Sequence, residues 1–237
     1  MKVSIIIPAR DEAATIAEVL SRVRVQLEGR AGEVIVVDDA SRDDTAVRAR
    51  NQSGVRVLCL PAPSGKGAAV QAGLAAATGD VVLVQDADLE YDPADYPALL
   101  EPFEDPRTEA VFGSRILGKR SGRPSGVSRA TYYWGGRLLS WLTTVLYGAR
   151  ITDVSTGYKV VRTSLLREIG LERPGFEFCH ELTAKLLRRG VRILEVPIAY
   201  APRTFAEGKK IRWRHGLTAI STLFRYCLWR PHHRAAD

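Results

Sequence analysis

Four short apolar runs in the first half of the chain are separated by helix-periodic segments, and most of them end in charged residues. Alternation of this kind is typical of βαβ units, in which parallel strands form a central sheet and helices cover both of its faces. The runs predicted as strands are 3–8, 33–38, 55–60 and 80–85, and the predicted helices are 12–27, 43–51 and 67–78.

The second half of the 237-residue chain is less regular. Its predicted strands are 110–114 and 192–197, with a turn and short strand at 153–161 and a Gly-, Ser- and Arg-rich loop at 118–126; its predicted helices are 131–147, 181–189 and 215–229. We therefore predict a single α/β domain with a Rossmann-like, mostly parallel central sheet flanked by helices. Its main body would be 1–214, followed by a C-terminal amphipathic helix and tail at 215–237.

The composition indicates the kind of partner and excludes some kinds of site. The chain carries 34 Lys and Arg against 27 Asp and Glu, and this net charge of +7 suits an anionic partner: a nucleotide, a polyprenyl phosphate, a membrane surface or a nucleic acid. Three widely spaced cysteines argue against a disulfide framework or a zinc site. The first apolar run is too short for a signal peptide, and none reaches the roughly 20 residues of a spanning helix, so we expect a cytoplasmic protein.

Three of the predicted strands run directly into polar clusters that contain acids, at 9–12, 38–41 and 86–88. The carboxyl ends of parallel strands meet at one edge of an open sheet, and ligands bind outside that edge. These clusters therefore predict a nucleotide site.

Asp86 and Asp88 are the sharpest feature of that edge. Two carboxylates separated by one residue can hold one hard divalent cation, Mg²⁺ or Mn²⁺, which would bridge a diphosphate. The alternative is a surface turn rich in Asp. The position directly after an apolar strand favours the metal site.

Two further features suggest donor contacts. One carboxylate of the Asp38–Asp39 pair could accept hydrogen bonds from a base or a ribose, and the alternative for the pair is an N-cap for the helix after Ser41. Lys66 lies in the Gly-rich segment 64–67, which is similar to part of a phosphate loop but lacks Walker A spacing. A Gly-rich helix entry is the alternative there.

Basic residues of the second half are candidates for phosphate binding, because the arginine fork can bind two phosphate oxygens. The alternative is that they lie in solvated surface loops. Glu181 is a candidate general base, although an acid at a helix N-terminus also has a structural use, and we interpret His180 as structural. The phosphate-binding candidates are Arg115, Arg129, Arg137, Arg203 and Lys209.

These motifs occur in the order seen in family 2 glycosyltransferases with the GT-A fold, which the chain resembles up to about residue 214. The segments that carry the resemblance are PARDE (8–12), VVDDAS (36–41), GKG (65–67) and DADL (86–89). The second half resembles the branch of dolichyl- and polyprenyl-phosphate sugar synthases through GSR (113–115), DVSTGYK (153–159), RT (203–204) and GKK (208–210).

The resemblance implies roles for the matching residues. The nucleotide-sugar site would comprise Pro8, Ala9, Arg10, Glu12, Asp39, Lys66, Asp86, Ala87, Asp88, Arg203 and Lys209. The metal ligands would be Asp86 and Asp88, with Glu90 as an added ligand. The acceptor would contact Arg115, Arg129 and Arg137, and the catalytic residues would be Asp88, Arg115, Asp153 and Glu181.

The implied reaction moves a sugar, with inversion at its anomeric carbon, from a UDP- or GDP-sugar to a polyprenyl phosphate. That acceptor oxygen is already anionic and needs no strong base, whereas a hydroxyl of a glycan or small molecule would need Glu181 or Asp153. The protein would then work at the inner face of a membrane, docked on its surface or on a membrane-protein partner.

Two hypotheses from other classes remain. A nucleotidyltransferase would need its signature loop near the N-terminus, where this chain has PARDE. A basic nucleic-acid-binding protein is disfavoured by the paired acids at the expected cleft, so we expect no nucleic-acid partner.

Overall fold

A computed structural model describes residues 1–118, 127–203 and 213–230, with side chains for all of these except 127–132 and 213. Within them lies one mixed sheet of seven strands. In chain order these are β1 (Val3–Ala9), β2 (Gly32–Asp38), β3 (Val55–Cys59), β4 (Val81–Val84), β5 (Ala110–Ser114), β6 (Lys159–Arg162) and β7 (Ile193–Pro197).

The sheet has the order β3-β2-β1-β4-β6-β5-β7. The first four strands along the chain are mutually parallel, with β1 between β2 and β4, so their carboxyl ends share one edge. Strand β6 runs antiparallel to both β4 and β5, while β5 and β7 are parallel. The predicted α/β class with a mostly parallel central sheet is confirmed.

Helices cover both faces of this sheet. They are α1 (Ile16–Leu27), α2 (Thr45–Arg50), α3 (Lys66–Ala76), α4 (Tyr96–Leu100), α5 (Val127–Tyr147), α6 (Thr163–Ile169), α7 (Phe178–Arg188) and α8 (Trp213–Cys227). The sequence prediction missed α4 and α6, because five to seven residues span too little of the 3.6-residue period to reveal an apolar face.

Two apolar layers hold the sheet between its helices. On one face, Ile5 and Ile7 of β1 pack with Val19 of α1 and Leu99 of α4. On the other face, Ile6 of β1 packs with residues of α3, α6 and α7. Successive strand residues point to opposite faces, so the near-continuous apolar sequence of β1 serves both layers, as expected of a buried parallel strand.

A third, smaller apolar cluster joins α8 to the rest of the molecule. Ala219 and Leu223 of α8 pack with Leu139 of α5 and with Ile151 and Val154. Helix α8 therefore packs on other helices, and the predicted boundary at residue 214 stays a prediction. Among the described residues, no helix is both long enough and apolar enough to cross a bilayer.

Candidate active site

Strained turns follow β1, β2 and β4 at the edge where their carboxyl ends meet. Each contains a residue with left-handed backbone: Asp11 (φ 49°), Ala40 (φ 52°) and Leu89 (φ 61°). This conformation costs about 1 kcal/mol or more for a residue with a Cβ and concentrates at functional sites. The first two turns hold each other, since Asp11 N–H donates to Ser41 Oγ (2.9 Å) and Arg42 N–H donates to the Asp11 carboxylate (2.8 Å).

A cleft of about 690 Å³ opens beside these turns. Its lining includes Glu12, Thr15, Asp88 and Arg203. The Thr15 hydroxyl donates to the Ala87 carbonyl (2.7 Å), which ties the start of α1 to the turn after β4. The volume suits a small-molecule ligand, and the lining residues come from the predicted nucleotide edge.

Arg203 bridges the turns after β1 and β4. Its two terminal nitrogens each lie 3.0 Å from the Glu12 carboxylate, and Nη2 also lies 3.1 Å from Asp88 Oδ2. Because a guanidinium that binds a carboxylate with both nitrogens can bind a phosphate in the same way, this group suits a diphosphate. Three predicted donor-site residues are thus in direct contact.

Lys66, the first residue of α3, forms an ion pair with Asp86. Burial alone would lower the pKa of Lys66, but the adjacent carboxylate raises it above its ordinary value. Gly157 closes the other side of Asp86, and a Cβ at this glycine would lie 2.7 Å from Asp86 Oδ2. A larger residue at position 157 would therefore displace the Asp86 carboxylate.

The surroundings of Asp88 disfavour its charged form. Burial, together with the charges of Asp86 and Glu90, raises the pKa of Asp88 to about 7, although Arg203 acts in the opposite direction. The negative charge around Asp88 is thus only partly balanced by Arg203, and a divalent cation would balance the remainder.

The donor set fits Mg²⁺ or Mn²⁺ in a shared site. Within the three described ranges, no three His, Cys, Asp or Glu side chains converge on one cation position. Mg²⁺ usually binds through one or two carboxylates plus phosphate oxygens and water. Asp86 and Asp88 would therefore supply the protein ligands, and a bound diphosphate would supply others.

Glu90 departs from its predicted metal role. Its carboxylate accepts hydrogen bonds from the Tyr200 hydroxyl (2.6 Å) and from Arg203 N–H (2.8 Å). Its backbone carbonyl accepts from Ala201 N–H (2.9 Å). Glu90 braces the segment that presents Arg203, and this geometry does not support its assignment as an added ligand.

The acids after β2 both bind backbone groups. Asp39 accepts hydrogen bonds from Ser64 N–H (2.6 Å) and Gly65 N–H (2.9 Å), and so anchors the loop that leads to Lys66. Asp38 accepts from Ser41 N–H (3.1 Å), a contact within the turn after β2; the N-cap of α2 is Asp44, so neither acid of the Asp38–Asp39 pair caps that helix. The predicted nucleoside contact of Asp39 stays a prediction.

Arg115 and Asp153 form a buried bidentate pair. Both guanidinium–carboxylate distances are 2.7 Å, and Arg115 N–H also donates to Asp153 (3.0 Å). Burial would raise the pKa of Asp153, but Arg115 outweighs it and lowers that pKa. The Arg115 guanidinium lies 4.9 Å from the centre of the Tyr200 ring, which places the pair behind the segment that carries Arg203.

The surroundings of Glu181 favour the structural role of its two predicted alternatives over the general-base role. Its side chain is fully buried and lies 2.7 Å from the Lys185 ammonium. It also accepts hydrogen bonds from Glu172 N–H (2.9 Å) and Arg173 N–H (2.8 Å). His180 is buried and contacts Ser155 (3.2 Å), which agrees with its structural interpretation.

The other predicted residues lie at different distances from the cleft. Pro8 and Ala9 end β1, Ala87 lies in the turn after β4, and Arg10 lies 3.9 Å from Asp39. Arg137 is exposed on α5 and is not among the cleft-lining residues. Lys209, the side chain of Arg129 and nearly all of the predicted loop 118–126 lie outside the described residues.

Several supporting residues escaped the sequence analysis. Gln85 accepts hydrogen bonds from the hydroxyls of Tyr96 (2.9 Å) and Tyr158 (2.8 Å), and donates to the Asp86 carbonyl (2.8 Å). Glu195 of β7 accepts from Thr152 N–H (2.8 Å) and Asp153 N–H (3.0 Å). Glu195 lies in an apolar strand, and that break in the pattern was a signal that could have identified it.

Comparison with known sequences places the chain among sugar-transferring enzymes. A family model described as "Glycosyl transferase family 2" matches residues 4–170. The undecaprenyl-phosphate mannosyltransferase of Micrococcus luteus is 34% identical over 221 residues, which cover 88% of this chain and 87% of that protein. The dolichol-phosphate mannosyltransferase of Pyrococcus furiosus is 30% identical over 217 residues, or 88% of this chain but only 59% of that protein.

Comparison with solved structures gives a similar architecture. The crystal structure of glucosyl-3-phosphoglycerate synthase from Mycobacterium tuberculosis, in complex with Mg²⁺ and uridine diphosphate, aligns with a TM-score of 0.73 and 26% identity. The alignment covers 95% of this chain and 79% of that one.

Proposed function

The chain belongs to glycosyltransferase family 2, and we propose that it transfers a sugar from a UDP- or GDP-sugar to a polyprenyl phosphate, with Mg²⁺ or Mn²⁺. The observation that carries the proposal is the contact of Arg203 with Glu12 and Asp88, beside the Lys66–Asp86 pair, at the edge where the parallel strands end. This arrangement brings carboxylates for a cation and cations for a diphosphate to one edge of the sheet.

The donor binds through exchange of partners in this cleft. Asp86 and Asp88 would hold the metal ion, which would neutralise charge on the departing nucleoside diphosphate. Lys66 and Arg203 are then free to leave these carboxylates and bind phosphate oxygens, since the same geometry serves both kinds of anion. Glu90 holds the backbone of Arg203 in place. Gly157 lies against the Asp86 carboxylate and keeps it in place.

The acceptor side favours an oxygen that is already anionic. In the transfer, an acceptor phosphate oxygen forms a bond to the anomeric carbon while the bond from that carbon to the diphosphate oxygen breaks. Asp153 is bound at both oxygens by Arg115, and Glu181 is buried, so neither predicted base is available to deprotonate a hydroxyl. Arg115, oriented by Asp153, is the group suited to the acceptor phosphate.

Relatives support this acceptor class. The two mannosyltransferases named above carry undecaprenyl phosphate and dolichol phosphate in their names. We infer by analogy that the protein acts at the cytoplasmic face of a membrane, where the lipid chain stays in the bilayer and its phosphate reaches the cleft.

A hydroxyl acceptor is the second candidate. It is favoured by the likeness to the mycobacterial synthase, whose name indicates a small phosphorylated acceptor. In that case Arg115 would bind the phosphate of the acceptor, and a base other than Asp153 and Glu181 would be required.

An acceptor screen tests the proposal. The full chain is incubated with UDP- and GDP-sugars, Mn²⁺ and either a short polyprenyl phosphate in detergent or 3-phosphoglycerate, and products are separated by chromatography. We expect a glycosylated lipid phosphate that disappears with excess chelator. Transfer only to 3-phosphoglycerate, or undiminished transfer in chelator, would contradict the acceptor or the metal assignment respectively.

A further inference from the structure

Helix α5 presents an apolar stripe to solvent. Trp134, Leu138, Trp141 and Val145 follow one another at intervals of four, three and four residues, and are 68%, 55%, 62% and 60% exposed. That spacing places them on one face of the helix. We call this face the α5 ridge. An amphipathic helix usually buries such a face, yet α5 buries Leu139 and residues near it instead.

Helix α8 lies beside α5 and adds to the same kind of surface. The two helices are in contact, and the Tyr147 hydroxyl donates to the Leu223 carbonyl (2.5 Å). While Leu223 is buried, Leu217 and Phe224 are 59% and 55% exposed. Leu217 and Phe224 therefore lie on an outward face of α8, and the helix is held to the protein by its other side.

The positive charge on these helices indicates which kind of partner fits this surface. Together α5 and α8 contain four arginines and no Asp or Glu. Arg137, Arg214 and Arg225 are exposed among the apolar residues. A second copy of the same face would bring like charges together, whereas an anionic lipid surface is complementary. Trp is also the side chain that prefers the headgroup level of a bilayer.

We propose that the α5 ridge, with the outward face of α8, docks on an anionic bilayer surface. The Trp rings and aliphatic side chains enter the interface, and the arginines contact lipid phosphates. The biological purpose of docking rests on the proposed function, because it would hold the cleft near a lipid-borne acceptor phosphate. The docking itself rests only on exposure, spacing and charge.

Vesicle binding tests the proposal directly. The full chain is sedimented with vesicles of phosphatidylcholine alone or mixed with phosphatidylglycerol. We expect salt-sensitive binding to the anionic vesicles, and a loss of about tenfold or more in partitioning for the double variant Trp134→Ser/Trp141→Ser. Both side chains are more than 60% exposed, so the variant should keep its fold, which circular dichroism and thermal melting verify.

A matched control removes exposed apolar residues elsewhere. Val25 of α1 and Val47 of α2 are 56% and 53% exposed, and Val25→Ser/Val47→Ser should bind vesicles like the unchanged protein. Absence of binding to anionic vesicles at low salt, or equal binding by the Trp double variant, would overturn the proposal. A concentration-dependent dimer that the Trp variant abolishes would assign the ridge to a second copy and overturn it as well.

Activity in detergent separates this inference from the proposed function. The Trp double variant should transfer sugar normally to a short polyprenyl phosphate in detergent, and poorly to the same lipid in vesicles. Vesicle binding without any lipid-phosphate transfer would refute the proposed function and leave docking intact. Transfer in detergent without vesicle binding would do the reverse.

Discussion

Acids of the cleft and acids of the second half have opposite surroundings. Asp86 and Asp88 keep 16% and 18% of their side chains exposed, each is paired with a cation, and Asp88 and its partner Arg203 line the cleft. Glu181 has no exposed side-chain surface, and Asp153 keeps 4%. The first pair faces a space that a ligand can enter, whereas the second two are enclosed by protein donors.

The pKa values of Asp88 and Asp153 are shifted in opposite directions. Burial and neighbouring acids raise the pKa of Asp88, while Arg115 lowers the pKa of Asp153 against the effect of burial. Asp88 is therefore repelled by neighbouring acids, and a bound cation would relieve this repulsion. Asp153 is already paired with Arg115 in the folded protein. A carboxylate serves chemistry or stability according to whether its counter-charge comes from a ligand or from the fold.

The largest effect should come from removing a cleft acid. Asp86→Asn or Asp88→Asn should reduce kcat/KM at least about a thousandfold, because the metal loses a charged ligand. The free energy of unfolding should change little for Asp88→Asn, since like-charge repulsion is relieved, whereas Asp86→Asn also removes the partner of Lys66 and should destabilise the protein. Transfer assays and urea unfolding measure both quantities.

The exposed Asp105, paired with Arg107 on the surface, supplies the control. Asp105→Asn should leave transfer unchanged. Near-normal transfer by either cleft variant, or unfolding of both, would remove the distinction between the two sets of acids.

The next largest effect is expected on stability, from a substitution of Glu181. Glu181→Gln leaves the buried Lys185 ammonium without its buried partner and should cost about 3–5 kcal/mol of unfolding free energy, measured by urea denaturation. The folded fraction should keep its activity per molecule, because Glu181 does not line the cleft.

Glu172 provides a matched comparison on the same lysine. Its carboxylate lies 3.0 Å from Lys185 Nζ, but its side chain is 59% exposed. Glu172→Gln should therefore cost only about 1 kcal/mol or less. Equal losses from the two substitutions would show that burial does not decide the contribution of these acids.

The sequence left two alternatives open for Glu181, and the reason is physical. The edge residues Glu12, Asp86 and Asp88 could be predicted, because parallel strands bring their carboxyl ends together whatever the rest of the chain does. An acid near a helix N-terminus looks the same whether it faces a cleft or a core. Tyr200 contacts Glu90, which lies 110 residues earlier in the chain, and no local sequence pattern records such a contact.

A smaller, pH-dependent effect is expected from Lys159. This side chain is 1% exposed and donates to the Val154 carbonyl (3.0 Å), near Asp153, Glu195 and Arg115. Burial lowers its pKa to about 8. Between pH 8 and the ordinary lysine value the unfolded chain binds more protons, so unfolding free energy should rise with pH in this window, by about 3 kcal/mol at most.

Lys159→Met isolates that contribution. Urea denaturation at several pH values from 7 to 10 should show a steeper rise for the unchanged protein than for the variant. Identical pH profiles would mean that Lys159 is protonated throughout and that its charge is balanced by the nearby acids.

The smallest effect is expected at Asp39, which shares features of both sets. It lies at the nucleotide edge, yet its side chain is 6% exposed and accepts two backbone N–H groups from the loop before Lys66. Asp39→Asn keeps the shape but removes the charge, and its single side-chain oxygen can accept from only one of the two N–H groups, because Ser64 and Gly65 donate to different carboxylate oxygens. We expect a loss of about 1–2 kcal/mol in unfolding free energy and weaker UDP binding by titration calorimetry. Loss of stability with unchanged nucleotide affinity would place Asp39 wholly with the structural acids, whereas weaker nucleotide affinity at unchanged stability would place it with the cleft.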